Sequence, residues 1–75
     1  MKQEYMNRNG VTKDGYKFEV GMWITDTQGT YEIVEINYNR RECKVNEIWF
    51  LEGDDYKVND TYWMTFYDMH DCYYE

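Results

Sequence analysis

Leucine occurs once in this 75-residue chain, at Leu51, and alanine, serine and proline do not occur at all. Alanine and leucine head the helix-propensity order, and leucine is a main filler of a helix's buried stripe, so the chain has little from which to build a core-facing helix. It is instead rich in residues that suit a pleated, half-buried surface. Five Val, four Ile, six Thr, three Phe, nine Tyr and three Trp make 30 of the 75. A β fold follows, and the length allows one core only, since chains divide into separate cores well beyond ~200 residues.

Turn residues cut the chain into short extended runs. Asn9-Gly10 and Asp14-Gly15 offer the positive φ of tight turns, which marks residues 1–15 as an arm or a hairpin. Tyr16 to Thr25 alternates with Phe18, Val20 and Met22 on one side, and Gly21 is the place for a bend. After the turn at residues 26–29, Thr30 to Tyr38 is the clearest strand, with Val34, Ile36 and Tyr38 on one face and Tyr31 and Ile33 on the other. Asn39-Arg40-Arg41 reverses the chain into Glu42 to Glu52. There Cys43 and Val45 share one phase and Ile48 and Phe50 the other, which a bulge near Asn46-Glu47 would reconcile. Tyr56 to Val58 reads as a short strand, Asn59-Asp60 as a turn and Thr61 to Tyr67 as a further strand. The β core therefore spans residues 16–67, and residues 68–75 form an acidic, aromatic tail. In that region Tyr62, Phe66, Met69 and Tyr73 fall at helix-like intervals, leaving a short terminal helix as the alternative to strand.

About five short strands with turns every 8 to 12 residues predict a mainly β fold, a small, strongly bent antiparallel sheet or SH3-like barrel, with the sheet closing on itself to hide its edges. The stretch from Val20 to Val58, with its GMWI entry strand and the long hairpin TYEIVEINY-NRR-ECKVNEIWFLE, resembles the SH3-like small barrels of bacterial and phage proteins. That resemblance implies a fold and no ligand.

Charge separates the two halves of the chain. Residues 1–41 carry six bases and six acids, whereas residues 42–75 carry two bases and nine acids, so the whole net charge of −7 lies in the second half. From Glu52 onward carboxylates and rings interleave as EGDDYKVNDTYWMTFYDMHDCYYE. Rings beside carboxylates suit a contact surface, because tyrosine offers a rigid apolar face and a hydroxyl at low entropic cost. The same rings also serve as cross-strand pairs on a solvated sheet face, and the acids as solubilising charge. A negative field repels phosphate backbones and anionic membranes and draws in Lys- and Arg-rich surfaces. Direct nucleic-acid and membrane partners are therefore set aside. Seven charges over a globule ~29 Å across give one per ~4 Å, against one per ~1.7 Å along duplex DNA, so such a protein imitates a duplex only sparsely and must draw affinity from its rings.

No catalytic constellation emerges. The absence of serine removes a serine nucleophile, the glycines open no phosphate loop, and the one His lies near Cys72 without an orienting third group. Asp68, His70, Asp71 and Cys72 hold metal-ligating side chains at a spacing that points strand neighbours to opposite faces, so neither metal nor cofactor is expected. Cys43 and Cys72 are 29 apart in a chain whose first ten residues have no apolar leader run, which favours free thiols and a cytoplasmic setting.

The expectation is thus a protein-binding domain and not an enzyme. Absent Ala and Pro beside abundant Asn, Tyr and Ile suggest an AT-rich genome. In size, acidity and lack of enzymatic motifs the chain is similar to small phage-encoded inhibitors of the anti-CRISPR and anti-restriction type. That similarity implies a host target in the bacterial cytoplasm: a basic protein whose nucleic-acid-binding surface the inhibitor occupies. Asp54, Asp55, Asp60, Asp68 and Asp71 would then meet Arg or Lys, with Tyr56, Tyr62, Trp63, Tyr67 and Tyr73 as apolar anchors. The alternative is a small-ligand-binding or self-assembling β protein, a homo-oligomer whose charge serves solubility and whose partners are unrelated to nucleic acid.

Overall fold

In a computed structural model, the alternating runs become five antiparallel strands in one sheet. Residues 10–75 are described; the first nine, most of the expected arm and the Asn9 half of its first turn, lie outside the described residues. The strands are β1 (Trp23–Asp26), β2 (Gly29–Asn37), β3 (Glu42–Phe50), β4 (Tyr56–Thr65) and β5 (Tyr73–Tyr74). Their order across the sheet is β4-β3-β2-β1-β5. The mainly β, bent sheet is as expected, but it does not close into the expected barrel: β4 and β5 remain its two edges, with no pairing between them. Residues 68–75 form no helix. Successive turns over residues 66–71 lead into β5, which pairs with Ile24 and Thr25.

One face of the sheet carries the core. Ile24, Tyr31, Ile33, Cys43 and Val45 are buried there, with Ile36, Tyr62 and Met64 packed at the margin. The first strand begins later than the alternation suggests, at Trp23, because Gly21 turns the chain at a φ of 95° that only glycine adopts freely. Phe18 is consequently buried as part of a cover, while Val20 faces solvent. The cover has two pieces. Residues 10–18 form a hairpin-like loop held by the Val11–Lys17 bridge, and the C-terminal turns contribute Phe66, Met69 and Cys72. Phe66 joins the two, standing edge-on to Phe18 at 5.4 Å and to Tyr38 at 5.9 Å. The pieces also bond directly, Lys13 N–H to Cys72 C=O and Tyr74 N–H to the Asp14 carboxylate. The Thr12 hydroxyl donates to the same carboxylate and lowers its pKa. The expected tail is therefore part of the core's lid.

Two bulges decide which side chains reach that core. At Val34 the β2–β3 register slips, so that Ile33 pairs with Val45 and Ile36 with Cys43. Strict alternation puts Ile33 and Ile36 on opposite faces; the extra residue brings both inward with Tyr31. The expected turn at Asn59-Asp60 is the second bulge. Glu47 lies opposite Asp60 and Ile48 opposite Val58, which leaves Asn59 as the added residue in one continuous β4. The irregularity falls on β4 and not on β3 as the sequence suggested, so Ile48 keeps its opposite phase and is buried on the other face. There it lies between Thr30 and Val58. The β3–β4 ribbon curls over that second face, bringing Phe50 within 6.2 Å and Tyr56 within 4.9 Å of the Trp23 ring. This smaller ring cluster is what bends the sheet.

Both cysteines are free and buried, and burial pushes each thiol up to about 12; the Asp26 charge adds to the effect on Cys72. Two outcomes follow. Neither thiol should react with a water-soluble thiol reagent at pH 8 until denaturant is added, as thiol titration checks. Because folding raises these pKa values, and that of Tyr31 to about 12, the advantage is complete below the unfolded values near 9 and 10. It drains away as pH rises toward 12, and circular dichroism should show alkaline unfolding within that window.

Candidate functional site

Thr30 is the first β2 residue with a partner on β3, opposite Ile48. Past that pair β3 and β4 run on as a two-stranded ribbon to the turn at residues 51–55. Leu51 N–H donates to Asp55 C=O across this turn, and Gly53 supplies a φ of 71°. Lacking a third strand to cover them, Trp49, Phe50, Leu51, Tyr56 and Val58 are all exposed. Trp49 is 48% exposed and carries the Lys57 ammonium 5.3 Å from its ring centre. Glu52, Asp54 and Asp55 crown the turn. Phe50, Tyr56 and Val58 share the face on which Trp23 packs and Trp49 lies on the other with Lys57, so the carboxylates of the turn cap two small apolar surfaces of the kind that mark contacts.

The acidic character continues down the core-side face. Glu47 and Asp60 are direct cross-strand partners, a like-charge pairing that opposes folding. Each carboxylate is tied by a local bond: Asn59 Nδ2 donates to Glu47 Oε1 at 3.2 Å, and Thr61 N–H to Asp60 Oδ1 at 2.8 Å. Beside them Tyr62, from β4, has its pKa raised, first by burial and then by the charges of Glu47, Asp60 and Asp26. Charges on three strands thus disfavour ionisation of one tyrosine. Substitution of Glu47 by Gln keeps the acceptor for Asn59 and removes the repulsion. Glu47→Gln should therefore raise stability by about 0.2–1 kcal/mol, read as a higher Tm in thermal denaturation.

The ten residues singled out in the sequence fall into separate places. Asp54, Asp55 and Tyr56 sit together at the hairpin end, and Asp60 and Tyr62 continue from it along β4. Trp63 points to the opposite face, across from Lys44, and borders a groove of about 410 Å³ with Asn37, Arg40 and Glu42. Tyr67, Asp68 and Asp71 belong to the C-terminal turns, where Tyr67 stacks on His70 at 5.5 Å. Tyr73 lies on β5 at the far edge, with the Lys13 ammonium over its ring. The structure therefore gathers five of the ten. It also adds Asp26, Glu47, Trp49, Phe50, Leu51 and Glu52, which the sequence reading left out of the site. For Trp49-Phe50-Leu51 a signal existed: three successive apolar residues on a strand cannot all face one core. Glu47 gave none, since only register brings it to Asp60, and Asp26 gave none, since its charge reaches Tyr62 only through the folded sheet.

His70 bonds through Nδ1 to Tyr67 C=O and through Nε2 to Asp71, while Cys72 is buried against Asp26. Among the described residues no set of three metal-ligating side chains converges. A second groove, of about 480 Å³, runs between Tyr16, Lys17, Met22 and Tyr74 and is open to solvent. No helix among the described residues is long and apolar enough to cross a membrane.

Fold and site together define a small open β meander that carries an acidic, ring-bearing hairpin end. Comparisons with protein-family models, curated proteins and solved structures found no match to this chain.

Proposed function

We propose that this protein is a binding inhibitor that sets its β3–β4 hairpin end on a basic, nucleic-acid-binding surface of a host protein and so keeps nucleic acid off it. The observation that carries the reading is the coincidence, at one end of one hairpin, of exposed Trp49, Phe50, Leu51 and Tyr56 with carboxylates from Glu47, Glu52, Asp54, Asp55 and Asp60. Rings supply the affinity that a sparse charge array lacks, and carboxylates select a Lys- and Arg-lined groove and speed the encounter. The setting is the bacterial cytoplasm, and the inhibitor is of the phage anti-CRISPR or anti-restriction type. It acts by occupancy, without chemistry of its own.

The test is a DNA-cleavage assay in which the purified protein is titrated against CRISPR effector nucleases and restriction enzymes. Inhibition of one of them by a stoichiometric complex, relieved by excess DNA substrate, supports the reading. Unimpaired cleavage across the panel, with no complex by light scattering, removes it.

A further inference from the structure

The two edges of the sheet are unlike. The outer side of β5 is occupied by the N-terminal loop through the Lys13–Cys72 and Asp14–Tyr74 bonds. β4, ten residues long and without proline, has no strand on its outer side among the described residues. Natural sheets usually blunt such an edge with proline, several lysines or a short strand. Here Lys57 is the single cation and the Asn59 bulge the single interruption, and past the bulge Thr61 to Thr65 is regular.

The direction of the backbone in that stretch can be read from its bonds. Phe66 N–H donates to Arg41 C=O, toward β3, whereas Thr61 N–H goes to the Asp60 carboxylate and Thr65 N–H to that of Asp68. Because antiparallel residues alternate inward and outward, Thr61 and Trp63 present their N–H and C=O groups to the open side, whereas the Thr65 C=O already accepts Met69 N–H at 3.2 Å. The two flanking N–H groups are held by carboxylates at 2.8 and 3.4 Å, and that of Trp63 lies between them.

We propose that this edge receives an extended, Lys- or Arg-bearing segment of the partner as a sixth strand. The proposal rests on the inhibitor reading and specifies how the partner is held. Charge selects the occupant. Residues 52–68 hold five carboxylates and one lysine, so a second copy of the chain would bring like charge to the edge, whereas a cationic strand brings its complement. Alternation selects its pattern. Asp60 and Tyr62 lie on one face of the edge and Trp63 on the other, which matches a segment with basic residues on one side and apolar residues on the other. An arriving ammonium gives the Asp60 carboxylate a stronger partner than the Thr61 amide, and the freed N–H joins the new ladder.

The probe is a heptapeptide alternating valine and lysine, with two analogues N-methylated at the lysines or at the valines, titrated into ¹⁵N-labelled protein. Strand addition predicts that one analogue loses at least tenfold in affinity while the other keeps it, because a strand turns alternate N–H groups to opposite sides. It also predicts at least tenfold slower hydrogen exchange at the Trp63 amide. Equal binding by all three peptides overturns strand pairing and leaves acidic docking standing. Failure of all three to bind at low salt overturns both. Tenfold protection of the Trp63 amide in the free protein overturns the proposal as well, since the edge is then filled already, by the chain itself in a monomer or by a second copy in a dimer.

Discussion

Replacing Phe66 by alanine should cost about 3–5 kcal/mol, a large share of the stability of so short a chain. Phe66 is the ring at which both halves of the lid meet: it contacts Phe18 from the N-terminal loop and Tyr38 from the β2–β3 turn, and it begins the turns that bury Met69 and Cys72. Gly10 depends on it too, since a Cβ there would come within 3.1 Å of the ring. Truncating a buried phenylalanine costs about 3–5 kcal/mol, from lost transfer energy and the cavity left behind. A domain of this length has about 4–11 kcal/mol in total. The lid has no sheet ladder of its own beyond the Val11–Lys17 bridge and two-residue β5, so a cavity at its junction cannot be closed cheaply. Urea titration followed by tryptophan fluorescence checks this. A midpoint within about 1 kcal/mol of the parent protein would show that the Phe66 ring contributes little to holding the lid on the core.

Under the proposed inhibitor function, reversing the charge at the hairpin end, with Asp54→Lys and Asp55→Lys together, should weaken binding to a nuclease identified in the cleavage panel about 10- to 100-fold at low salt. The net charge goes from −7 to −3, and both reversed groups are exposed at the turn. Their effect is therefore one of steering and complementarity, largest where screening is weakest. The gap between variant and parent should narrow as salt approaches 1 M, where the Debye length is ~3 Å. Thermal stability should stay within about 0.5 kcal/mol, as expected for exposed positions without buried partners. Equal affinities at all salt concentrations would exclude the hairpin end as the contact.

How legible all this was in the chain differs from element to element. The extents of β2 and β3 could be read directly from extended runs between turn residues, but not their facing, since β2 bulges at Val34 and β3 keeps a single phase. Sheet closure could not be read either. Alternation says which face is apolar and nothing of how far the sheet curls, and here the curl comes from Trp23 meeting Phe50 and Tyr56, residues of strands that are not neighbours. The bulges at Val34 and Asn59 were hidden for a related reason: an extra residue costs little locally and is justified only by the core that it serves. Of the site, the Asp54-Asp55-Tyr56 end was visible as a turn between strong strands. The pairing of Glu47 with Asp60 depends on register, which no single strand encodes.

Along β4-β3-β2-β1 every neighbouring pair of strands is consecutive in the chain, whereas β5 reaches β1 from 48 residues away, as Tyr73 pairs with Thr25. Short closures form in microseconds and long ones must be held against a greater entropy loss. Assembly therefore has a built-in order: the meander zips first, with its apolar side bare, and β5 with the lid arrives last. The same order in reverse makes that final piece the first to let go. In native-state exchange, the amides of residues 66–74 should form a separate, less protected unit, although they cover the deepest part of the molecule.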